Sequence, residues 1–251
     1  MKLNGNTILV TGGTSGIGRA LAEALHKLGN QVIISGRRQA LLDEVTQANP
    51  GMHAVRLNVE DQASIAAVAR QLTADFPQLN VLINNAGIMH IDDAAGAIDD
   101  AMAVSTVTTN LLGPIRMTSA LIEHLKAQPS AAVLNVTSVL GFVPLAVSAV
   151  YSSTKAALHS YTLSQRYKLR GTSVSVLEIA PPWVQTDLLD SKDEPRAMPL
   201  LPFIEETLAV LGTDAEEVLV ENAKFLRANP GAGEGKFVTE FNDMFLNPPA
   251  A

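Results

Sequence analysis

The sequence predicts an α/β domain built on a doubly wound parallel sheet. Short, near-continuous apolar runs, of the kind buried on both faces of a sheet, alternate with segments whose apolar residues recur at helical spacing. No internal repeat, low-complexity tract or linker interrupts the alternation, so residues 1–251 are read as one domain.

Strands are predicted over residues 7–10, 32–34, 54–57, 81–83, 132–136 and 174–177. Between the first two, Ile17, Ala20, Leu21, Ala24, Leu25 and Leu28 share one helical face, and Gly29 supplies the stop. Ile65, Val68, Ala69, Leu72 and Phe76 repeat that pattern after Asp61. Long helices are expected around residues 98–126 and 151–169. Residues 185–202, rich in Pro, Asp and Leu, predict a mobile segment that closes over a substrate. Asp214-Ala215-Glu216-Glu217 resembles a capping box opening a helix to about Ala228. The tail begins with turn residues at 229–233 and holds no long strand.

Composition narrows the function classes. A net charge of −7 and a pI near 5.2 argue against nucleic acid or an anionic membrane as the main partner. The absence of cysteine excludes disulfides and thiolate metal sites. No run is long and apolar enough to span a bilayer, and residues 1–6 lack the apolar run of a signal peptide, so a soluble cytoplasmic protein is expected.

Residues 11–18, Thr-Gly-Gly-Thr-Ser-Gly-Ile-Gly, lie between the first strand and the first helix. Gly12, Gly16 and Gly18 permit a tight turn and close approach of a pyrophosphate to a helix N-terminus, with Thr14, Ser15 and Ile17 in the same turn. A bare glycine pattern is also compatible with a plain turn, but the strand before it and the amphipathic helix after it favour dinucleotide binding. The second strand ends in Ser35-Gly36-Arg37-Arg38, with no acid to accept from a ribose 2′-hydroxyl. Two guanidiniums suit a 2′-phosphate instead, so NADP(H) is preferred, with NAD(H) possible; the alternative is a solvated basic loop.

Tyr151 and Lys155 sit four apart on an expected helix, hence on one face. An ammonium beside a phenol lowers the phenol's pKa and makes a proton donor usable near neutrality, although such a pair is more often a solvated helix face. Ser138 closes the fifth strand, where ligands of parallel sheets bind. It reads either as a holder of a carbonyl oxygen or as a strand-end turn residue. Pro114 deprives the Asn110 carbonyl of its helical donor, leaving either an anchor for a relay water or a simple kink. Met89, Phe142, Val143, Trp183, Leu188 and Leu189 are expected around Tyr151 as apolar substrate contacts, with Met198 on the mobile segment; Trp183 reads equally well as core. The five histidines show no ligand spacing and the isolated Glu178 is no metal site, so no catalytic metal is expected.

Taken in order, Gly12-x-x-x-Gly16-x-Gly18, Asn84-Asn85-Ala86-Gly87, Asn110, Ser138, Tyr151-x-x-x-Lys155 and Pro181-Pro182 resemble the short-chain dehydrogenase/reductase family over residues 5 to about 190. The segments 145–147, 155–160 and 180–187 look like its DltE-like branch. The resemblance implies a Rossmann-type sheet and hydride transfer between a nicotinamide and a small-molecule carbonyl or alcohol. On that analogy Tyr151 is the acid/base, Lys155 binds the ribose, Ser138 orients the carbonyl and Asn110 holds a relay water. Asn58 and Val59 would meet the adenine, Asn85, Ala86 and Gly87 the adenosine side, and Pro181, Val184 and Thr186 the nicotinamide. It also implies a homodimer across the two long helices, with Leu111, Met117, Leu121, Leu158 and Leu163 in contact. Three departures stand out: Asn58 for the usual Asp, Pro182 for the usual Gly, and no Gly-rich last strand. Non-redox chemistry on the same fold and an idle NADP-sensing protein are the alternatives; the intact Ser138–Tyr151–Lys155 set argues against the sensor.

Overall fold

The computed structural model describes residues 1–229 and 231–246; Pro230 of the expected turn and residues 247–251 of the expected domain lie outside them. Strands β1 (Thr7–Thr11), β2 (Gln31–Gly36), β3 (His53–Arg56), β4 (Leu79–Asn84), β5 (Ala131–Val136), β6 (Val174–Ile179) and β7 (Glu217–Val218) form one sheet in the order β3-β2-β1-β4-β5-β6-β7. All pairings are parallel. Helices α1 (Gly16–Lys27), α2 (Gln39–Ala48), α3 (Gln62–Asp75), α4 (Asp100–Val107), α5 (Gly113–Lys126), α6 (Ala149–Leu169), α7 (Leu200–Leu211), α8 (Glu221–Arg227) and α9 (Glu234–Leu246) complete the described chain. None is long and apolar enough to cross a membrane.

The two-residue period of the strands sorts side chains between two cores. Ile8 and Val10 join Leu21, Leu25 and Phe203 on one face, and Leu9 joins Ile65, Leu72 and Leu121 on the other. The order reverses at β1: the chain runs out to β3 and returns to β4 on the opposite side. That reversal leaves a crevice beyond the carboxyl ends of β1 and β4. Local signals act as expected at α1 and α3. Gly29, at φ +87°, lets its N–H reach the His26 carbonyl at 2.9 Å, and Asp61 caps α3 by accepting from the Ala63 N–H at 2.8 Å.

Three expectations are corrected. The helix expected to open at residues 214–217 starts at Glu221; Glu217 and Val218 instead pair with Glu178 and Ile179 as β7. An open sheet edge offered main-chain partners there, and the Glu206 carboxylate, from α7, receives the Glu221 N–H at 3.0 Å. The helix expected over 98–126 is split by a π-turn at Thr108–Leu112, because Pro114 cannot donate back to Asn110. Residues 185–202, expected as a mobile segment, carry local main-chain structure. Met198 bonds Trp183 and Gln185 through the main chain at 2.8 and 2.9 Å, Leu189 and Asp190 take φ of 53° and 52°, and α7 begins at Leu200. Finally, Met117, Leu121 and Leu158 are buried in the chain's own core and are not free for a partner. The apolar surface of α4 and α6 consists instead of Val104, Val107, Leu163 and Tyr167.

Candidate active site

A cavity of about 680 Å³ occupies the crevice. At its β1 end the glycine turn is shaped by contact. A Cβ on Gly12 would lie 2.8 Å from the Ala86 Cα, and one on Gly18 would collide with the Gly12 carbonyl and the Asn85 side chain. Gly12 also takes φ +66°. The Asn85 amide donates to the Thr11 and Gly12 carbonyls at 3.0 and 3.2 Å, so part of the Asn-Asn-Ala-Gly motif holds the turn itself. Thr14, Ser15, Gly16 and Ile17 line the same cavity at the N-terminus of α1, with Gly87 past β4 and Asn58 and Val59 past β3. This cradle fits the pyrophosphate and adenosine of a dinucleotide. Arg37 lines it too, 61% exposed and 3.3 Å from Glu60. Arg56 donates to the Arg37 carbonyl at 3.2 Å, which brings a further cation that the sequence reading missed.

At the β5 end, α6 brings Tyr151 and Lys155 against Ser138, all three buried. Ser138 Oγ accepts from the Leu140 N–H at 3.1 Å, which leaves its hydroxyl proton for Tyr151 or a substrate oxygen. Lys155 Nζ donates to the Val136 carbonyl at 2.8 Å and stands 5.5 Å from the Tyr151 ring centroid. The expected lowering of the phenol is overturned in the protein alone. Burial pushes Tyr151 up to about 12 against a downward pull from the Ser138 hydroxyl, and burial lowers Lys155 to about 8. Desolvation is the largest cause of both shifts. Asn110 does not line the cavity. Its side chain clamps the Ile88 main chain, accepting at 2.9 Å and donating at 2.8 Å, and donates to Thr154 Oγ at 3.2 Å. Its main-chain carbonyl lies in the π-turn.

Met89, Trp183, Leu188 and Leu189 line the remaining wall, with Pro181, Val184 and Thr186 between them and the glycine turn. Phe142, expected here, does not line the cavity, and neither do Val143 and Met198, which are buried in the core. Phe142 turns away because its ring packs on His159 and Arg227, at 4.9 and 4.5 Å. In its place stand Phe241 and Phe245 of α9, which the sequence reading missed. Their signal was the four-residue spacing of Phe237, Phe241 and Phe245. Asn242 anchors α9 by donating to the Pro144 carbonyl at 3.0 Å and accepting from the Ala146 N–H, and Phe245 meets Trp183 at 5.3 Å. Arg196 stacks on both rings, but its guanidinium is held twice by Glu194, at 2.8 and 2.9 Å.

Residues 6–197 match the model of the short chain dehydrogenase family. The chain belongs to that family. It is accordingly an NAD(P)-dependent oxidoreductase with a Rossmann-type fold. It is 45% identical to the "Uncharacterized oxidoreductase DltE" of Bacillus subtilis strain 168, over 75% of each chain, which supports the DltE-like branch. It is 33% identical to an NADP-dependent 3-hydroxy acid dehydrogenase of Schizosaccharomyces pombe, over 74% of each chain. Among solved structures, a short-chain dehydrogenase of Burkholderia cenocepacia in complex with NADP superposes with a TM-score of 0.84 and 26% identity, covering 96% of this chain and 98% of the other.

The buried lysine of this dehydrogenase makes a prediction about stability. With Lys155 lowered from 10.5 to about 8, the charged form carries a burial cost at every pH below about 8, and the cost is released as pH rises to 10.5. Lys155→Met removes it. The gain in stability of Lys155→Met over the parent should therefore be up to about 3 kcal/mol larger at pH 7 than at pH 10.5. Thermal or urea unfolding at the two pH values checks the sign.

Proposed function

We propose that this dehydrogenase is an NADP(H)-preferring carbonyl reductase or alcohol dehydrogenase for small or medium, mainly apolar ketones, aldehydes or the matching alcohols. The observation that carries the substrate class is the wall around Tyr151. Met89, Trp183, Leu188, Leu189, Phe241 and Phe245 offer apolar area, with Ser138 and Tyr151 as the convergent polar groups. The nearby Arg196 is already bound to Glu194, which disfavours an anionic substrate.

The nicotinamide supplies the hydride when bound. Gly12, Gly16 and Gly18 let the main chain approach its pyrophosphate, and Lys155 binds its ribose. Ser138 donates its hydroxyl to the substrate oxygen, and the Tyr151 phenol gives that oxygen a proton during reduction and takes it back during oxidation. A phenol held high by burial is in its protonated form at neutral pH, which suits reduction. Asn110 offers its carbonyl to a water leading from Lys155 outward. Residues 185–202 bear Leu188 and Leu189 and close over the substrate, excluding water. The NADP of the Burkholderia structure and the NADP-dependent Schizosaccharomyces relative support the cofactor preference.

A screen of neutral carbonyls against carboxylated ones, followed by NADPH absorbance, tests the substrate class. Neutral substrates should lead; a clear advantage for 3-oxo acids would overturn the apolar assignment. In the same assay Tyr151→Phe should abolish turnover while NADPH still binds, and near-parental turnover would remove Tyr151 from its role.

Arg37 is the proposed partner of the 2′-phosphate, exchanging a weak surface pair with Glu60 for a charge-assisted hydrogen bond. Arg37→Ala should cost about 1.5–3 kcal/mol in NADPH binding, roughly ten- to hundredfold, and leave NADH nearly unchanged. Equal losses for both cofactors would refute the assignment.

A cytoplasmic homodimer completes the proposal, through the exposed Val104, Leu163 and Tyr167 of α4 and α6. Light scattering at micromolar concentration should give twice the chain mass, and a monomer would reject that interface.

A further inference from the structure

Glu178 lies in the apolar strand β6 with no exposed surface, and it does not line the cavity. A buried carboxylate persists where its oxygens are paired. Here Thr137 Oγ donates to Oε1 at 2.6 Å, and His159 Nδ1 stands 3.0 and 2.8 Å from the two oxygens. The β6–β7 register brings Glu217 alongside, and Arg227 Nε donates to both Glu217 oxygens at 3.0 and 2.9 Å. His159, Glu178 and Glu217 are close enough together to ligate a metal ion, but Arg227 already brings the positive charge. Arg227 and His159 both pack on the Phe142 ring.

Three members of this cluster lie beside the catalytic groups along the chain. Thr137 precedes Ser138, and His159 follows Lys155 by one turn of α6. Phe142 follows the 3₁₀ turn Val139–Gly141, which Ser138 caps. That turn rests directly on α6: a Cβ on Gly141 would lie 2.9 Å from the Lys155 carbonyl carbon. Three successive residues at the end of β5 thus reach three partners. The Val136 carbonyl takes Lys155, Thr137 takes Glu178, and Ser138 meets Tyr151.

We propose that Glu178 is a positioning residue for the reaction. Through Thr137 and His159 it ties the end of β5 to α6 and so fixes the Ser138 hydroxyl relative to the Tyr151 phenol. The inference rests on the roles given above to Ser138 and Tyr151. Glu178 itself touches neither the cavity nor the proposed cofactor cradle, so its loss should appear in turnover and not in NADPH affinity.

Thr137→Val, Thr137→Ser and Glu178→Leu in the full chain test it, with NADPH and the best neutral carbonyl. Misplacing reacting groups by about 1 Å costs on the order of a hundredfold, so Thr137→Val should lose about 10- to 100-fold in kcat with NADPH Kd nearly unchanged. Its solvent deuterium isotope effect should rise, because proton delivery slows relative to the other steps. Thr137→Ser restores the hydroxyl and should restore both the rate and the isotope effect. Glu178→Leu should follow Thr137→Val; since it can also cost the fold, the near-isosteric Thr137 pair decides. Parental turnover in folded Thr137→Val, or equal losses in the Val and Ser variants, overturns the inference. Tyr151→Phe runs beside them: if it is inactive while Thr137→Val is parental, only the positioning role falls, whereas an active Tyr151→Phe refutes the underlying site assignment.

Discussion

The Thr11 hydroxyl holds the switch point of the sheet together. It accepts the N–H groups of Asn85 and Ala86 at 3.0 and 3.1 Å and donates to the Ile83 carbonyl at 3.3 Å. These bonds draw the end of β4 across the end of β1 until only a hydrogen fits between Gly12 and Ala86. The crevice, the exposed N-terminus of α1 and the line of Gly87 toward Lys155 all follow from that closure. A side chain on Gly87 would meet Asn110 Oδ1 and Lys155 Nζ at 3.5 and 3.7 Å, so the same strand end also reaches α6.

Burial governs the electrostatics of the site. Tyr151 and Lys155 stand side by side at the cavity, and each is held toward its neutral form by desolvation. A dry pocket strengthens the hydrogen bonds of Ser138 and the Val136 carbonyl and makes any unpaired polar group costly. A chain of hydrogen-bonded amides crosses the core to meet that constraint, although Asn84 Oδ1 has no partner there. The Asn84 amide donates to Asn135 and Thr118, and Asn135 donates to Thr162 and Gln165 of α6, at 2.9 to 3.2 Å. Such a buried chain fixes the rotation of α6 more sharply than apolar packing, because a turned helix would strand the amides.

The apolar end of the cavity follows a different logic. The cofactor cradle is built from main chain and glycines, but the opposite wall comes from the loop after β6 and from α9, joined by the Trp183–Phe245 contact. These pieces are far apart in sequence, and Asn242 sets their approach by bonding to the loop that leads into α6. Apolar side chains there can change without disturbing the sheet.

Sequence alone determined what local physics encodes. Apolar runs marked β1, β2, β4, β5 and β6 because strands buried on both faces tolerate little else; β3, marked the same way, is mostly exposed. The glycine turn, the Tyr151–Lys155 spacing and the missing acid after β2 placed the cavity end by end, since each depends on neighbours within a few residues. Tertiary structure decided the rest. Glu216 and Glu217 carry a helix-opening pattern, yet an open edge of β6 drew Glu217 and Val218 into the sheet. Phe142 looked like a pocket residue from its place after Ser138, but Arg227 and His159, brought in by α8 and α6, turned it into the core. Phe241 and Phe245 entered the pocket from the far end of the chain, and the direction of the Tyr151 and Lys155 shifts came from how completely the fold excludes water. Such contacts are set by the free energy of burial over the whole fold, which no window of a few residues contains.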